Sequence, residues 1–370
     1  MASNPTTARV CFATLLTTDS YVPGALTLAA SLRATGTSHE IICLVADGQL
    51  SRSALERLEL AFDRVVCVPI LQSADTANLA LLGRPDLGST VTKIGIWSLT
   101  EYARIAYLDA DTLVLGSIDS LLDVSSNDMA IGHDIRPNGG MENAGLLAAA
   151  PDLGWPDMFN SGVFVAQPSM ATHRHLVQLL ATRGSFDGGD QGLLNTYFSD
   201  WSRADHTRRL PFAYNTTSTS FYSYAPAFAH FAHSIKIVHF IGAQKPWKQS
   251  RDSNGALAHE DSTNTPFAMF VEKWWQIHDA HVLQWCPEER PNGSGTLPSS
   301  AKQSDNSGTN NTSSAHSLDN AWIKDRAVPA VIDQMPADGS WGAFTPAPDF
   351  ALSASLSSSS NSSKTNVRAS

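Results

Sequence analysis

The sequence predicts an α/β fold in which a mixed, mostly parallel central sheet carries helices on both faces. Short runs rich in Val, Ile, Leu and Cys alternate with segments whose apolar residues recur at helical spacing. In addition, 42% of the 370 residues are hydrophobic, which is enough apolar material for a sizeable core. In such folds ligands bind outside the carboxyl ends of the strands, and we expect the functional residues there.

The first third of the chain has the most regular pattern. Three strand-like runs, VCFATLL, EIICLVA and RVVCVPI, are separated by two helical patterns. The first helix is predicted from Val22 to Ala34 with Pro23 in its first turn, and the second begins near Ser51. No Gly-x-Gly-x-x-Gly motif follows the first strand, which argues against a nicotinamide dehydrogenase.

Later segments are less regular. We expect a loop over residues 71–90, followed by a helix that contains Lys93. Residues 134–157, rich in Gly, Pro and Ala, are predicted to form a long loop. A helix over residues 267–285, with large apolar residues near one face, would close the domain.

The composition changes near residue 287. We expect a folded domain over residues 9–286 and a tail over residues 287–370. The tail is rich in Ser, Asn and Gly and cannot bury enough apolar surface to fold. A short amphipathic patch near residues 318–332 is the one segment of the tail suited to binding a partner.

Charge and composition argue against several classes of protein. The net charge of −10, without a basic stripe, is unsuited to a nucleic-acid partner. The sequence shows neither a signal peptide nor an apolar run of membrane-spanning length, which predicts a cytoplasmic protein with no membrane partner. The four cysteines have no spacing typical of a zinc site or a disulfide framework, and we expect all four to be small buried hydrophobes.

Asp109 and Asp111 lie between two apolar runs in the segment IAYLDADTLVL. Residues two apart in an extended chain point the same way, so these carboxylates would converge at the end of a buried strand. A divalent cation with oxygen ligands is a suitable partner for them, and Mg²⁺ or Mn²⁺ in such a site commonly holds substrate phosphates. Asp-x-Asp also arises by chance in solvated turns, and the pair taken alone favours that interpretation.

Six separated motifs, in order, resemble the glycogenin family: LTTDSYVPGAL, RPDLG, YLDADTLVL, GWPDMFNSGVFV, SFDGGDQGLLN and VHFIGAQKPW. The resemblance extends from about Arg9 to Trp247. It implies a single-domain, Rossmann-like nucleotide-sugar transferase fold of the GT-A type. It also implies retaining transfer of glucose from UDP-glucose to a tyrosine of the protein itself, followed by extension to a short α-1,4-glucan that primes glycogen synthesis.

The resemblance assigns the metal and diphosphate contacts to five residues. Asp109 and Asp111, with His239 as a third ligand, would hold Mn²⁺, with Mg²⁺ as the alternative, because two carboxylates and an imidazole suit Mn²⁺ better than Ca²⁺. Lys245 would neutralise the leaving diphosphate, and Gly242 would let the backbone approach it. Taken singly, His239 reads as a core histidine and Lys245 as a surface charge.

The remaining donor contacts also follow from the resemblance. They fall at Leu15, Thr17, Thr18, Tyr21, Arg84, Lys93, Ala110, Asn160, Asp187, Asp190 and Gln191. Asp190 and Asp187 are expected to be catalytic together with Lys245, although both aspartates also suit a helix cap. Lys93 alone would read as a lysine on a helix surface. Whether Asp190 attacks the sugar or the acceptor attacks from the leaving-group side stays open.

Tyr222 matches the tyrosine that this family glucosylates, and Tyr224 lies close by in sequence. An aromatic cluster here could equally form a packed interface. The resemblance further implies a homodimer, a growing glucan chain as acceptor, and glycogen synthase as a partner of the tail. Two alternatives share the fold: a transferase acting on a separate small acceptor such as inositol, and a non-catalytic scaffold that binds nucleotide sugar.

Overall fold

The computed structural model describes residues 9–123, 147–204, 206–217, 225–252, 257 and 266–285. Several predictions lie outside these residues, namely those for Tyr222, Tyr224, Cys286, the tail and its patch near residues 318–332. The boundary between a domain over residues 9–286 and a tail therefore remains a prediction. Within the described residues, no helix has the length and apolar composition needed to span a bilayer.

The described strands are β1 (Val10–Leu16), β2 (Glu40–Ala46), β3 (Arg64–Val68), β4 (Arg104–Leu108), β5 (Thr112–Val114), β6 (Leu147–Pro151), β7 (Phe159–Ala166), β8 (Thr216–Thr217) and β9 (Ile237–His239). The α-helices are α1 (Val22–Ala34), α2 (Arg52–Ala61), α3 (Thr76–Leu81), α4 (Met170–Arg183), α5 (Asp190–Tyr197), α6 (Ala225–Phe231), α7 (Pro266–Ile277) and α8 (Leu283–Trp285). A long 3₁₀ helix covers Pro85–Ser98, and a π-helical turn, His278–Val282, joins α7 to α8.

The main sheet has six strands in the order β3-β2-β1-β4-β7-β6. The first four strands in this order are parallel, whereas β7 runs antiparallel to both β4 and β6. The carboxyl end of β4 therefore lies beside the beginning of β7. The predicted mixed, mostly parallel sheet is confirmed, and its reversal at β7 brings residues of β4 and β7 to the same edge.

Side chains of β1 alternate between two buried faces of this sheet. Cys11 and Ala13 belong to the core that includes the 3₁₀ helix, α4 and α5, whereas Phe12 and Leu16 belong to the core that includes α1, α2 and α7. A parallel sheet buried on both faces requires nearly continuous apolar strands, and the run VCFATLL is of that type. Helices cover both faces, as predicted.

The predicted helix from Val22 to Ala34 matches α1, and the side chain of Ser51 caps α2 by accepting a hydrogen bond from the Ala54 amide at 3.2 Å. The closing helix is also confirmed, since α7, the π turn and α8 form one helical run with Val271 and Trp274 fully buried.

Other local predictions were wrong in part. Residues 71–90 are not a single loop, because α3 forms there with Asp75 as its cap. The predicted helix that contains Lys93 is confirmed, and it is a 3₁₀ helix that begins at Pro85. Residues 134–146 of the predicted loop over residues 134–157 lie outside the described residues, and the remainder contains β6, whose small residues carry little strand signal. Cys67 is exposed because β3 is an edge strand, whereas Cys11 and Cys43 are buried.

A second sheet has the order β5-β9-β8, and its strand β5 directly follows the Asp109–Asp111 segment in the chain. β9 pairs antiparallel with β5, where Thr112 faces His239, and parallel with β8, where Thr217 faces His239. This register fixes His239 beside the turn that carries both aspartates. A Cβ on Gly24 of α1 would lie 2.5 Å from the carbonyl oxygen of Ala110, so α1 packs directly on the same turn.

Candidate active site

The turn between β4 and β5 presents Asp109 and Asp111 at the edge of the main sheet. The Asp109 amide donates to the carbonyl of Gly162 in β7 at 2.7 Å. The Asp109 carbonyl accepts from both the amide and the hydroxyl of Thr112, at 3.0 and 2.7 Å. The Asp111 carbonyl accepts from the Phe240 amide at 2.9 Å. Backbone bonds to both sheets therefore hold the two aspartates in place.

Asp109, Asp111 and His239 form a group that could hold a metal ion. One ligand atom from each lies within 4.8 Å of the other two. The Nε2 atom of His239 is 3.2 Å from Asp111 Oδ1 and 3.9 Å from Asp109 Oδ2. Two anionic oxygens and an imidazole nitrogen fit a divalent cation such as Mn²⁺. The Asp109 carboxylate is the most exposed of the three side chains, at 28%.

Lys93 connects Asp109 to Asp190. Its Nζ atom lies 3.0 Å from Asp109 Oδ1 and 2.6 Å from Asp190 Oδ2, and it donates to the Ser161 carbonyl at 3.0 Å. The Tyr107 hydroxyl also donates to Asp109 Oδ1, at 2.9 Å. Lys93 is almost fully buried, so the reading of Lys93 as a helix-surface lysine is wrong. The ion pairs instead offset the cost of burying this ammonium group.

Lys245 is the second buried lysine of the site. It donates to Asp111 Oδ2 and, at 2.7 Å, to the carbonyl of Phe240. Its Nζ atom also lies 5.7 Å from the centre of the Tyr21 ring. Each aspartate of the turn therefore has its own lysine, with Lys93 at Asp109 and Lys245 at Asp111.

These lysines affect the two aspartates differently. Burial raises the pKa of Asp109 above its ordinary value, and the charge of Lys93 offsets only part of this effect. Burial also acts to raise the pKa of Asp111, but the charges of His239 and Lys245 outweigh it and hold that pKa well below its usual range. Asp111 is therefore the more firmly ionised ligand when no cation is present.

Asp190 begins α5 and is held as an anion. Lys93 and the Ser161 hydroxyl both donate to its Oδ2 atom, at 2.6 and 2.7 Å. Burial acts to raise the pKa of Asp190, but the charge of Lys93 and these hydrogen bonds lower it below the ordinary value. The amino-terminal position in α5 also favours negative charge. Ser161 was not among the predicted site residues, although it directly follows Asn160 in the FNSG motif.

Asp187 has a different environment. Its carboxylate accepts hydrogen bonds from the Ser185 hydroxyl and from the amides of Gly189 and Gly192, at 2.7, 2.9 and 2.8 Å. These contacts build the turn that leads into α5, as the capping interpretation expects. Within the described part of the chain these hydrogen bonds join Asp187 to no other predicted site residue, and a catalytic role for Asp187 remains a prediction.

Gln191 ties β7 to the loop after β6. Its side-chain oxygen accepts from the Ser161 amide at 3.1 Å, and its side-chain nitrogen donates to Asp152 Oδ2 at 2.7 Å. Ser161 therefore contacts both Asp190 and Gln191, which are adjacent at the start of α5. Asp152 also escaped sequence analysis, because a lone Asp in a loop carries no pattern.

A buried amide chain supports the third metal-ligand candidate. Asn215 Oδ1 lies 2.9 Å from His239 Nδ1, and Asn215 Nδ2 donates to Asn160 Oδ1 at 2.9 Å. Asn160 Oδ1 also accepts from the Gly162 amide at 2.9 Å. Asn215 has no exposed surface, and its neighbours in sequence form no motif that indicates a metal or sugar site.

The predicted nucleotide contacts lie around the carboxyl end of β1. Leu15 is buried, the Thr17 hydroxyl accepts from Ser89 at 3.3 Å, and the Thr18 hydroxyl is 2.7 Å from that of Ser20. The Tyr21 ring meets the ring of Trp247 edge to face, with centroids 5.5 Å apart.

Three further predicted contacts surround this end of the sheet. Arg84 pairs with Asp86 at 2.8 Å, which holds its guanidinium close to the backbone of the 3₁₀ helix. Ala110 is buried between the two aspartates. Gly242 has a φ of +87°, a backbone conformation that favours glycine, with open space at its Cβ position.

Replacing Lys93 with Met tests the buried charge pairs. Removing the ammonium leaves Asp109 and Asp190 unpaired, which we expect to lower the free energy of unfolding at pH 7 by about 3 to 5 kcal/mol. In the native protein Lys93 lowers the pKa of Asp190, so this carboxylate stabilises the fold above its unfolded pKa, and the contribution is lost as the pH falls through the lower folded pKa. The native contribution is therefore intact at both pH 7 and pH 4. In the variant, burial without the ammonium should raise the pKa of Asp190, so this carboxylate gains a proton as the pH falls from 7 to 4 and the deficit should shrink.

Urea unfolding at both pH values measures this effect. Lys248→Met is the matched control, because Lys248 is exposed and should change stability by no more than about 0.5 kcal/mol. A Lys93→Met deficit that is equal at the two pH values would contradict the charge-pair account.

Comparison with known proteins agrees with this geometry. The model of "Glycosyl transferase family 8" matches residues 13–251. Human glycogenin-1 is 45% identical over 276 residues, covering 74% of this chain and 72% of its own length. Glycogenin-1 of Caenorhabditis elegans is 44% identical over 269 residues, covering 73% and 55% of the two chains. The crystal structure of apo-form glycosyltransferase GlyE from Streptococcus pneumoniae TIGR4 has a TM-score of 0.46 at 18% identity and covers 76% of this chain and 64% of its own.

The family match covers more than half of the chain and includes every described residue of the candidate site. The predicted GT-A type of α/β fold and the predicted family are both confirmed. This chain belongs to glycosyl transferase family 8 and, within that family, to the glycogenins.

Proposed function

We propose that this protein transfers glucose from UDP-glucose to its own Tyr222, with retention at the anomeric carbon, and then extends a short α-1,4-glucan that primes glycogen synthesis. One observation carries the proposal: the Lys93 ammonium joins the candidate metal site to Asp190 within 3.0 Å on each side. A nucleotide-sugar transferase needs a cation at the diphosphate and an anion at the sugar. Lys93 holds a candidate metal ligand, Asp109, beside a candidate anion, Asp190.

Asp109, Asp111 and His239 would hold the metal, which we propose to be Mn²⁺. When bound, the cation supplies positive charge to the donor diphosphate and so stabilises the leaving group. Lys245 lies against Asp111 and is placed to add a second positive charge there. Gly242, Thr17, Thr18 and Tyr21 would contact the remainder of the nucleotide.

Asp190 serves the sugar side of the reaction. Two donors on Oδ2 and a lowered pKa keep the carboxylate ionised and fixed in position. An ion-paired carboxylate is a weaker nucleophile but a good stabiliser of positive charge developing on the sugar ring. We therefore favour an electrostatic role for Asp190 over covalent attack.

The acceptor assignment rests on the relatives and on the chain near β8. Thr217 pairs with His239, and the segment that contains Tyr222 follows directly in sequence. The chain segment that leads to Tyr222 in sequence therefore begins beside His239, a metal-ligand candidate. We further propose a homodimer in which one subunit glucosylates the other, since a tyrosine fixed in one chain cannot serve its own site at every glucan length.

The remaining partners are proposed on the same basis. The growing glucan is the acceptor in later rounds, and the tail, through residues 318–332, recruits glycogen synthase. A cytoplasmic location suits Cys67, an exposed free thiol of a kind that persists in reducing compartments.

Mass spectrometry of the purified protein tests donor, metal and acceptor together. After incubation with UDP-glucose and Mn²⁺, the wild type should gain mass in hexose steps, whereas Tyr222→Phe should gain none because it lacks the phenol oxygen. Tyr224→Phe is the matched control and should gain hexose as the wild type does.

Two outcomes would contradict the proposal. Hexose addition to Tyr222→Phe at the wild-type rate would place the acceptor elsewhere. An unmodified protein that rapidly labels added inositol or another small acceptor would identify a transferase with a separate acceptor.

Mixing two inactive variants tests transfer between subunits. Asp190→Asn keeps the acceptor but should lose about 100-fold or more in rate, because it lacks the anion at the sugar. Tyr222→Phe keeps the transferase site but lacks the acceptor. After subunit exchange, hexose should appear on the Asp190→Asn chain, which mass spectrometry distinguishes. An unlabelled mixture, alongside a wild type that labels itself, would show that transfer occurs within one chain.

A further inference from the structure

The orientation of the Asn215 side chain can be deduced from the hydrogen-bond chain to which it belongs. The chain begins at the Gly162 amide, a group that can only donate. Its partner, 2.9 Å away, must therefore be an acceptor, which identifies that atom as the oxygen of the Asn160 side chain. Asn215 contacts the same oxygen at 2.9 Å, so the Asn215 atom on that side must be the nitrogen.

The same logic fixes the proton on His239. Because the Asn215 nitrogen faces Asn160, its oxygen faces His239 Nδ1 at 2.9 Å. An amide oxygen accepts but cannot donate, so Nδ1 must carry the hydrogen. In the neutral imidazole the lone pair then lies on Nε2, the atom 3.2 Å from Asp111 Oδ1. A backbone amide of β7 thus determines which nitrogen of His239 is free to bind a cation.

The surroundings leave this arrangement little freedom. Asn215, Asn160 and His239 are 0%, 7% and 5% exposed. A Cβ added to Gly162 would come within 2.1 Å of the His239 ring, so the ring packs directly against the backbone of β7. The Asn215 backbone is held as well, since its amide donates to the Phe212 carbonyl at 2.9 Å and β8 begins at the next residue.

We infer that Asn215 is a positioning residue that selects the Nδ1–H form of His239 and orients Asn160 toward the donor sugar. Its two hydrogen bonds join His239, the third metal-ligand candidate, to Asn160, the proposed sugar-binding residue. Asn215 directly precedes β8, and Tyr222 follows β8 in sequence. The Asn160 oxygen already accepts two hydrogen bonds, so Asn160 would bind a sugar hydroxyl through its NH₂ group, as a donor. This inference rests on the proposed function and adds a residue to its site.

Two substitutions separate the bonds of Asn215. Asn215→Leu has a similar size and removes both. Asn215→Asp keeps an oxygen toward His239 Nδ1 but replaces the donor toward Asn160 with a second acceptor. Asn195→Leu is the control, because Asn195 also bridges backbone groups near the start of β7. Its side chain donates to the Phe159 and Gln191 carbonyls at 2.9 and 3.0 Å, and neither bond involves His239.

The first readout is a titration of the full chain with Mn²⁺ alone. The EPR signal of free Mn²⁺ measures how much of the metal remains unbound. Outer-shell partners of a metal-binding histidine typically contribute about 10-fold to 100-fold in affinity, and we expect a loss of that size for Asn215→Leu. Asn215→Asp should keep its Mn²⁺ affinity within about threefold, and so should Asn195→Leu, because in both variants His239 Nδ1 retains an acceptor. With UDP-glucose, Asn215→Asp should then show slower hexose transfer despite normal metal affinity.

The second readout is the proton itself. Nitrogen-15 NMR of the metal-free wild type should show a proton on Nδ1 of His239, with the resonance assigned by its loss in His239→Gln. An Nδ1 without a proton, a folded Asn215→Leu with unchanged Mn²⁺ affinity, or an equal loss in Asn215→Asp and Asn215→Leu would each overturn the inference. If Asn215→Leu does not fold, the inference is still tested by the NMR result and by the Mn²⁺ affinity and transfer rate of Asn215→Asp. Neither EPR nor NMR needs UDP-glucose, so failed self-glucosylation would count against the proposed function alone.

Discussion

The architecture of this site depends on compensation among buried charges. Asp109, Asp111 and Asp190 face Lys93 and Lys245, so three carboxylates meet two ammonium groups, with one net negative charge when His239 is neutral. Burying isolated charges of this kind would cost several kcal/mol each, which the ion pairs and hydrogen bonds offset. The remaining negative charge is what a divalent cation would neutralise, and the cation would in turn attract a diphosphate. The same groups therefore satisfy the requirements of the fold and of the donor.

The fold brings these charges together from distant parts of the chain. The reversal of strand direction at β7 sets Ser161 and Gly162 beside the end of β4, and the short second sheet sets His239 opposite Thr112. Close packing then limits what each position tolerates. A side chain at Gly24 would collide with the turn between the aspartates, and one at Gly162 would collide with the ring of His239. Sheet register and backbone contacts thus fix Asp109, Asp111 and His239 relative to one another.

Much of the fold and of the candidate site could be predicted from the sequence, and the parts that could not have physical reasons. The parallel strands and α1 followed from apolar periodicity, and the candidate metal group followed from motifs that keep their order along the chain. Lys93 was less evident, because a lysine in a helical pattern gives no sign of burial until the carboxylates from β4 and α5 meet around it. Asn215 and Ser161 act through hydrogen bonds made across the sheet, and such bonds leave no local pattern. Asp187 is the opposite case, since its motif indicates chemistry while its contacts build a turn.

We infer that Asp109, Asp111 and His239 would together hold one Mn²⁺ ion beside the diphosphate of the donor. Electron spin-echo envelope modulation of the full protein with one equivalent of Mn²⁺ and UDP detects nuclei that couple to the metal. We expect coupling to one histidine nitrogen, which is lost in His239→Gln, together with coupling to phosphorus. Bound Mn²⁺ with phosphorus coupling but no nitrogen coupling in the wild type would contradict it.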